Sequence, residues 1–363
     1  MLFNFTSVYM KMLTLYRVNP FRMKINLCVA AIFIIGLPVV HAQDPHFSQF
    51  FEAPLLRNPS LAGLFAGDIR VQGVYRNQWG SVTTPYQTGS FNLEFKQPVG
   101  KANDFITTGF QILYDRAGIT NFTTSNIYPA INYHKSLNDE KSSYLSLGFM
   151  GGYVQRSIDR SKMTTNSQYD GNGYNPSLPD GEAFSQTNYH YWDGSLGMSY
   201  NASIKGSETD NYFIGLAYHH FNRPLNSFYK NPPVELNPKW VVSGGVRFTA
   251  SETSFITIQA DYSKQGEYTE TIAGATYSVK IGDDYENPQY VIHFGGYLRL
   301  KDAFIPVLKL DYHPFSISMS YDANISQLKT ASQGRGGFEL AISYAGFLDR
   351  NNTTKNAVLC PKF

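Results

Sequence analysis

The residues best equipped for chemistry gather in one long segment, "SIDRSKMTTNSQYDGNGYNPSLPDGEAFSQ", residues 157–186. Asp170, Asn172, Asn175, Asp180 and Glu182 are oxygen donors of the kind that hold Ca²⁺. The spacing departs from the helix–loop–helix calcium pattern at Tyr174, where a further oxygen ligand is required. The segment therefore reads as a solvated loop. Long exposed loops often carry recognition, so Tyr169, Asp170, Asn172, Tyr174 and Asn175 are its candidate partner-docking residues. The eight histidines are scattered. His219 and His220 are adjacent, so on a strand they are expected to point to opposite faces and not to share an ion. Arg76 in "YRNQWG" and Asp115 and Arg116 in "YDRAG" sit at strand ends and are expected to pair inside, or at the mouth of, a polar interior. The sequence has no nucleophile elbow, no phosphate-cradling glycine loop and no paired metal-binding histidines on a helix. No enzymatic activity and no cofactor are expected.

These residues must be positioned by strands. The chain has 363 residues, with 16% charged and 15% aromatic side chains, 26 Tyr, 26 Phe and 30 Gly. Its mean hydropathy is −0.28. Few charges and many aromatics and glycines suit an all-β protein. Alternation with a period of two marks strands near 68–79, 85–97, 104–115, 123–136, 142–156, 187–202, 211–222, 239–250, 254–264, 268–281, 290–300, 302–312, 315–325 and 336–348. Phe91, Leu93 and Phe95 share one face, as do Ile106, Phe110, Ile112 and Tyr114, and again Phe338, Leu340, Ile342 and Tyr344. The opposite faces carry Asn92, Glu94, Asn132, Ser146, Gln259, Asp261, Lys309, Asp311 and Glu339.

A soluble sandwich would bury those apolar faces against each other. A transmembrane antiparallel β-barrel of about 14 strands turns them to lipid and keeps a polar interior. Strands of the length needed to cross a bilayer at a tilt favour the barrel. So do aromatic residues near many strand ends (Tyr75, Trp79, Tyr86, Trp192, Tyr218, Trp240, Tyr312, Tyr344) and the terminal Phe363. With both chain ends in the periplasm, the long connections 157–186 and 223–238 fall outside, and the short turns 251–253 and 313–314 inside. The short connections near 80–84 and 301 do not follow that trend.

Residues 1–42 contain Lys11, Arg17, Arg22 and Lys24, no acid, and the apolar run Ile25–Val40 before "VHA". This reads as a signal peptide cleaved before Gln43, with Met23 as a possible true start. A membrane anchor is the rival reading, but the run is short for a spanning helix. Without the leader, 26 basic residues face 28 acidic ones. Nothing in that balance points to nucleic acid. Cys28 leaves with the leader, so Cys360 has no internal partner and stability must come without disulfides. Residues 43–67 form an irregular, Pro-broken segment, expected to pack in the lumen or against its periplasmic mouth. Residues 68–348 are the barrel and 349–363 a C-terminal tail.

The segment "QDPHFSQFFEAPLLRNPSLAG", then "GVYRNQW" and "YDRAG", and near the end "SMSYDANISQLKTASQGRGGFELAISY" and "CPKF" resemble the PorP/SprF family of type IX secretion outer-membrane proteins. The matching residues include Phe47, Asn58, Pro59, Arg76, Trp79, Asp115, Gly118, Arg335 and Glu339. Ser60 stands where the resemblance leads one to expect Ala, and the stretch near 155–290 is generic. The resemblance implies a Bacteroidetes-type bacterium and an outer-membrane barrel of the type IX secretion and gliding system. The implied partners are the secretion machinery, surrounding outer-membrane lipid, and a large secreted surface protein or adhesin recognised through its type IX C-terminal domain. A passive outer-membrane channel or hydrophobic-solute transporter is the alternative.

Overall fold

A computed structural model describes residues 44–348, apart from 81–83, 101–102, 139–141, 183–185, 206, 208, 230–233, 327–328 and 333. The leader, its cleavage site, Cys360, Phe363 and the tail from 349 lie outside the described residues. Fourteen strands form one closed antiparallel barrel. They are β1 Ile69–Gln78, β2 Tyr86–Pro98, β3 Phe105–Ala117, β4 Phe122–Asn138, β5 Ser143–Ser157, β6 Asn188–Ser203, β7 Asn211–His219, β8 Lys239–Ser251, β9 Ser254–Gln265, β10 Tyr268–Ile281, β11 Tyr290–Arg299, β12 Ala303–Tyr312, β13 Phe315–Asn324 and β14 Arg335–Gly346. Each strand pairs with its neighbour in sequence. β1 and β14 close the ring, with Arg76 opposite Glu339 and Gly73 opposite Ile342. Closure leaves no sheet edge, which is what allows strands to cross a bilayer.

The burial pattern is inside out relative to a soluble protein. Asn92, Glu94, Gln111, Asn132, Ser146 and Glu339 are buried, while Phe91, Ile112, Ile131, Leu147, Phe294 and Leu308 are exposed. On β14, Phe338 and Ile342 are 43% and 50% exposed and Glu339 is 0% exposed. The period-two alternation therefore separates an apolar outer belt from a polar lumen. The apolar outer belt faces lipid, as expected for an outer-membrane barrel.

Because the strands alternate in direction, every connection that follows an odd-numbered strand lies at one end of the barrel. The connections 158–187 and 220–238 share this loop end, and the turns 252–253 and 313–314 lie at the opposite, turn end. The β3–β4 turn uses Gly118 at φ 67°, a backbone conformation that a side chain would strain.

Residues 44–67 fill the lumen. They comprise a 3₁₀ turn at Phe50–Glu52, a single helical turn α1 at Pro54–Arg57, and a second 3₁₀ turn at Pro59–Leu61. The path runs lengthwise. At the loop end, Asp44 meets His220 just past β7 (2.7 Å), and its N–H donates to Gln265 at the end of β9 (3.2 Å). At the turn end, the Asp68 N–H donates to the Gly346 carbonyl (2.8 Å). The segment thus begins, at Asp44, beside the long loops and not at the turn end where β1 begins, so the premise that both chain ends share the periplasmic end fails for the first described residue, while β1 and β14 keep it. Its polar contacts with strand after strand make that path favourable despite the prolines.

Candidate functional site: the lumen plug, its seam and the loop platform

The plug is held where the barrel closes. Glu339 on β14 accepts hydrogen bonds from the Ser48 and Gln49 backbone N–H groups (2.6 and 2.8 Å) and from Arg76 Nη1 of β1 (2.8 Å). Arg76 also donates to Asp322 of β13 (2.9 Å) and to the His46 carbonyl (3.1 Å). Arg299 of β11 reaches Asp322 (3.3 Å) and donates to the Ser48 hydroxyl. The two guanidinium groups therefore face Glu339 and Asp322, with Asp302 (2.9 Å) and Glu270 (3.6 Å) also beside Arg299 and plug residues Ser48 and Gln49 seated on the cluster. Pairing of this kind is what makes buried charge tolerable; Asp322 Oδ1 and Arg299 Nε are cluster atoms left without a hydrogen bond among the described residues.

Further along, Glu52 accepts from Gln72 (2.6 Å) and Lys309 (2.8 Å). Arg57 forks onto Asp261, with Nε 2.7 Å from the carboxylate, a bidentate geometry that fixes direction as well as charge. Its guanidinium also lies over the rings of Phe50 and Phe213, at 4.7 and 5.0 Å. Phe47 packs with Ala53, Val74, Leu113 and Ala341.

The Asn58-Pro59-Ser60 stretch rests on a patch of lumen-facing glycines. The Asn58 side chain caps the second 3₁₀ turn by accepting from the Ser60 N–H (2.9 Å), and Pro59 follows it. A Cβ at Gly148 would lie 2.5 Å from the Pro59 carbonyl carbon and the Ser60 nitrogen; at Gly197 it would overlap the Asn58 side chain. Only glycine lets the plug backbone approach the wall this closely. Ser60, in place of the expected Ala, donates its hydroxyl to Asn58 Oδ1 (2.8 Å), so the additional polar atom is satisfied. At the turn end the Gly63 N–H donates to Glu94 (2.7 Å) and Lys96 donates to the Phe65 carbonyl (2.5 Å).

At the loop end His220 bridges two acids, Asp193 (2.7 Å) and Asp44 (2.7 Å), with Lys239 4.0 Å from Asp44. Burial disfavours the His220 cation, but the Asp44 and Asp193 carboxylates outweigh it and push its pKa up to about 9. Burial works against the Asp44 carboxylate too, yet the His220 cation holds it well below the usual carboxylate range. His219 and His220 do not point to opposite faces. β7 ends at His219, and His220 takes a positive φ of 57° that turns its ring back inward. His219 meets Ser195 Oγ (2.9 Å) and the Arg57 carbonyl (3.3 Å).

The expected pairing of Arg76 with Asp115 is not made, because barrel closure sets Glu339 directly opposite Arg76. Asp115 instead accepts from Thr88 (2.7 Å), and Arg116 donates to Gln87 (2.8 Å). Trp79 caps the end of β1, donating its N–H to the Gly336 carbonyl (3.2 Å) and packing edge-on against Tyr86. The Arg335 carbonyl accepts from Asn324 (3.0 Å). Of the residues that carry the family resemblance, Phe47, Arg76 and Glu339 converge on the seam, and Asn58 and Pro59 lie on the glycine patch. Asp115, Gly118, Trp79 and Arg335 remain at strand ends. Asp322, Arg299, Asp261 and the receiving glycines were not singled out from sequence as plug partners. Their only sequence signal was charge, or a missing side chain, on the polar face of a strand.

The two long loops support each other. Tyr229 of the second donates to Glu182 of the first (3.1 Å); Arg160 pairs with Asp180 within the first loop (2.8 Å), and Asn226 of the second accepts from Arg156 of β5 (2.7 Å) and Tyr189 of β6 (2.5 Å). Tyr189 and Phe228 pack edge to face at 4.8 Å. Within the first loop, Asp170 accepts from the Asn172 and Gly173 N–H groups (3.0 and 3.2 Å), and Asn175 accepts from the Ser177 N–H (3.0 Å). These oxygens shape the loop's own turns, which is the ordinary role of Asp and Asn there. Tyr169 and Tyr174 form a bridge and stand 61% and 52% exposed.

Closed strands, a polar lumen and an apolar belt define an outer-membrane β-barrel, here with its lumen occupied by its own N-terminal segment. Residues 39–344 match the family model described as "Type IX secretion system membrane protein PorP/SprF", and the chain belongs to that family. The family is one of type IX secretion system membrane proteins. Comparison with curated proteins finds no match. Among solved structures, the chain is similar to the CymD monoaromatic hydrocarbon channel, with 9% identity, TM-score 0.45, and coverage of 82% of this chain and 94% of that one. It is also similar to the Pseudomonas putida toluene transporter TodX, with 11% identity, TM-score 0.44, and coverage of 80% and 92%. A third is the translocator domain of the autotransporter NalP from Neisseria meningitidis, with 10% identity, TM-score 0.39, and coverage of 76% and 87%. At these values the likenesses carry no argument about function.

Proposed function

We propose that the protein is a plugged barrel that serves the type IX system as a platform. It assists export or surface anchoring of one large surface protein by engaging that protein's C-terminal domain. The observation that carries this reading is the plug: residues 44–67 run the length of the lumen and are tied to the wall by ion pairs at Lys309 and Asp261 and by backbone hydrogen bonds to Glu339. A passive channel needs an open path, which such a plug opposes; plugged transporters exist, so the plug bears on the channel reading alone. The loop end then supplies the working surface, with Tyr169 and Tyr174 exposed on a braced loop. Exposed tyrosines on an ordered loop offer contact area at low entropic cost. Orientation follows from loop length: the long loops face the cell exterior and the turns face the periplasm and the rest of the machinery. The test is a graft of residues 157–186 from a family relative, scored by which surface protein the cell retains. A change of retained protein supports the platform; unchanged retention removes this loop from the docking surface.

A further inference from the structure

The outer belt is not uniform. Across β4 to β8 it carries an apolar groove of about 560 Å³, walled by Ile131, Leu147, Leu196 and Met198, with Tyr133 towards one end and Trp240 at the other. Its floor includes the backbone of Gly148 and Gly197, the glycines whose inner side receives the plug. The size lies within the range of specific small-molecule sites. The walls are flexible aliphatic side chains, including a methionine, which adapt to an irregular apolar occupant. The lining has almost no polar surface to fix a polar ligand. At one rim Trp240 packs on Tyr218, with ring centroids 4.2 Å apart, the kind of amphipathic pair that sits at headgroup level.

We propose that this groove is a lipid site, holding one acyl chain of a membrane lipid in a fixed position against the wall that backs the plug. The choice of occupant follows from continuity. The groove opens directly into the lipid-facing belt formed by Phe149, Leu216 and their neighbours. Association of another membrane protein is favoured by small residues and interhelical-type polar contacts, and here the outward walls are large and apolar.

The test uses the full-length protein carrying Trp79→Phe and Trp192→Phe, which leaves Trp240 as the sole tryptophan reporter. It is reconstituted in vesicles of dibrominated phosphatidylcholine, re-extracted in mild detergent, and freed of loose lipid. The expected result is Trp240 fluorescence that stays quenched, with one lipid per barrel by native mass spectrometry. Filling the groove with Leu147→Phe and Met198→Phe should remove both signals while heat resistance of the barrel is unchanged. Leu308→Phe, on β12 and outside the groove, should leave both intact. Three results would overturn the proposal: unquenched, lipid-free protein before the groove is filled; equal lipid retention after filling; or a lipid-free dimer with Trp240 shielded, which would assign the groove to a second copy.

Discussion

Replacing Glu339 with Gln changes one atom type at the point where plug and barrel seam meet. The carboxylate receives three donors, two backbone N–H groups of the plug and Arg76. A carboxamide offers one oxygen and must turn its NH₂ towards a donor. At least one charge-assisted bond is lost, worth about 1.5–3 kcal/mol, and Arg76 keeps Asp322 as its carboxylate partner, shared with an Arg299 that also pairs with Asp302 (2.9 Å). Breaking a buried pair in this way costs about 3–5 kcal/mol. The strand ladder of β1 and β14 does not depend on this side chain, so the plug should loosen before the barrel opens. Planar bilayers should then show conductance steps absent from the wild type, while the heat-resistant band on semi-native gels persists. Arg76→Gln in addition to Glu339→Gln removes both partners, and the double variant should be less destabilised in urea than the two single effects summed, by at least about 1 kcal/mol. Silent traces with an unchanged urea midpoint for Glu339→Gln, or strict additivity, would refute the reasoning.

Gly148→Val places side-chain atoms against the Pro59–Ser60 backbone; overpacking of about 1–3 kcal/mol should raise protease access to residues 44–67 in the folded barrel. Leu308→Arg puts a charge on the lipid face near mid-strand and should cost about 2–4 kcal/mol in refolding into bilayers, read by urea titration. The His220 pKa is raised when folded, so its stabilisation of the plug is complete below about 6.5 and is lost as pH rises through about 9. Asp44 is depressed, so its contribution holds above about pH 4 and is lost in acid. Plug release followed by protease access should therefore increase between pH 7 and 10, and His220→Gln should flatten that rise. Deleting residues 44–66 should give open conductance outright.

The strands were legible because a barrel wall has one wet face and one oily face, and the resulting period of two runs through every strand. "FELAISY" shows it directly, with Phe338 and Ile342 outward and Glu339 buried. Strand existence needs only this local signal. The site needs distances of up to 291 positions along the chain, as between Ser48 and Glu339, and no local period encodes those. Arg76 and Asp115 looked like partners because both lie at strand ends; ring closure, which is set by strand number, gave Arg76 to Glu339 instead. His220 escaped the alternation rule because the strand stops one residue earlier and the backbone turns to positive φ. The glycines that receive Asn58-Pro59-Ser60 were visible only as composition. Their role depends on which wall the plug touches.

The proposed platform engages the C-terminal domain of a large surface protein with the loop end of its plugged barrel. The most direct measurement places a photo-crosslinking amino acid at Tyr174 in living cells, followed by purification and mass spectrometry of the adduct. One dominant adduct is expected, mapped to the C-terminal domain of a large surface protein and lost when that domain is deleted. An uncrosslinked barrel that conducts ions in planar bilayers would contradict it and establish the channel reading.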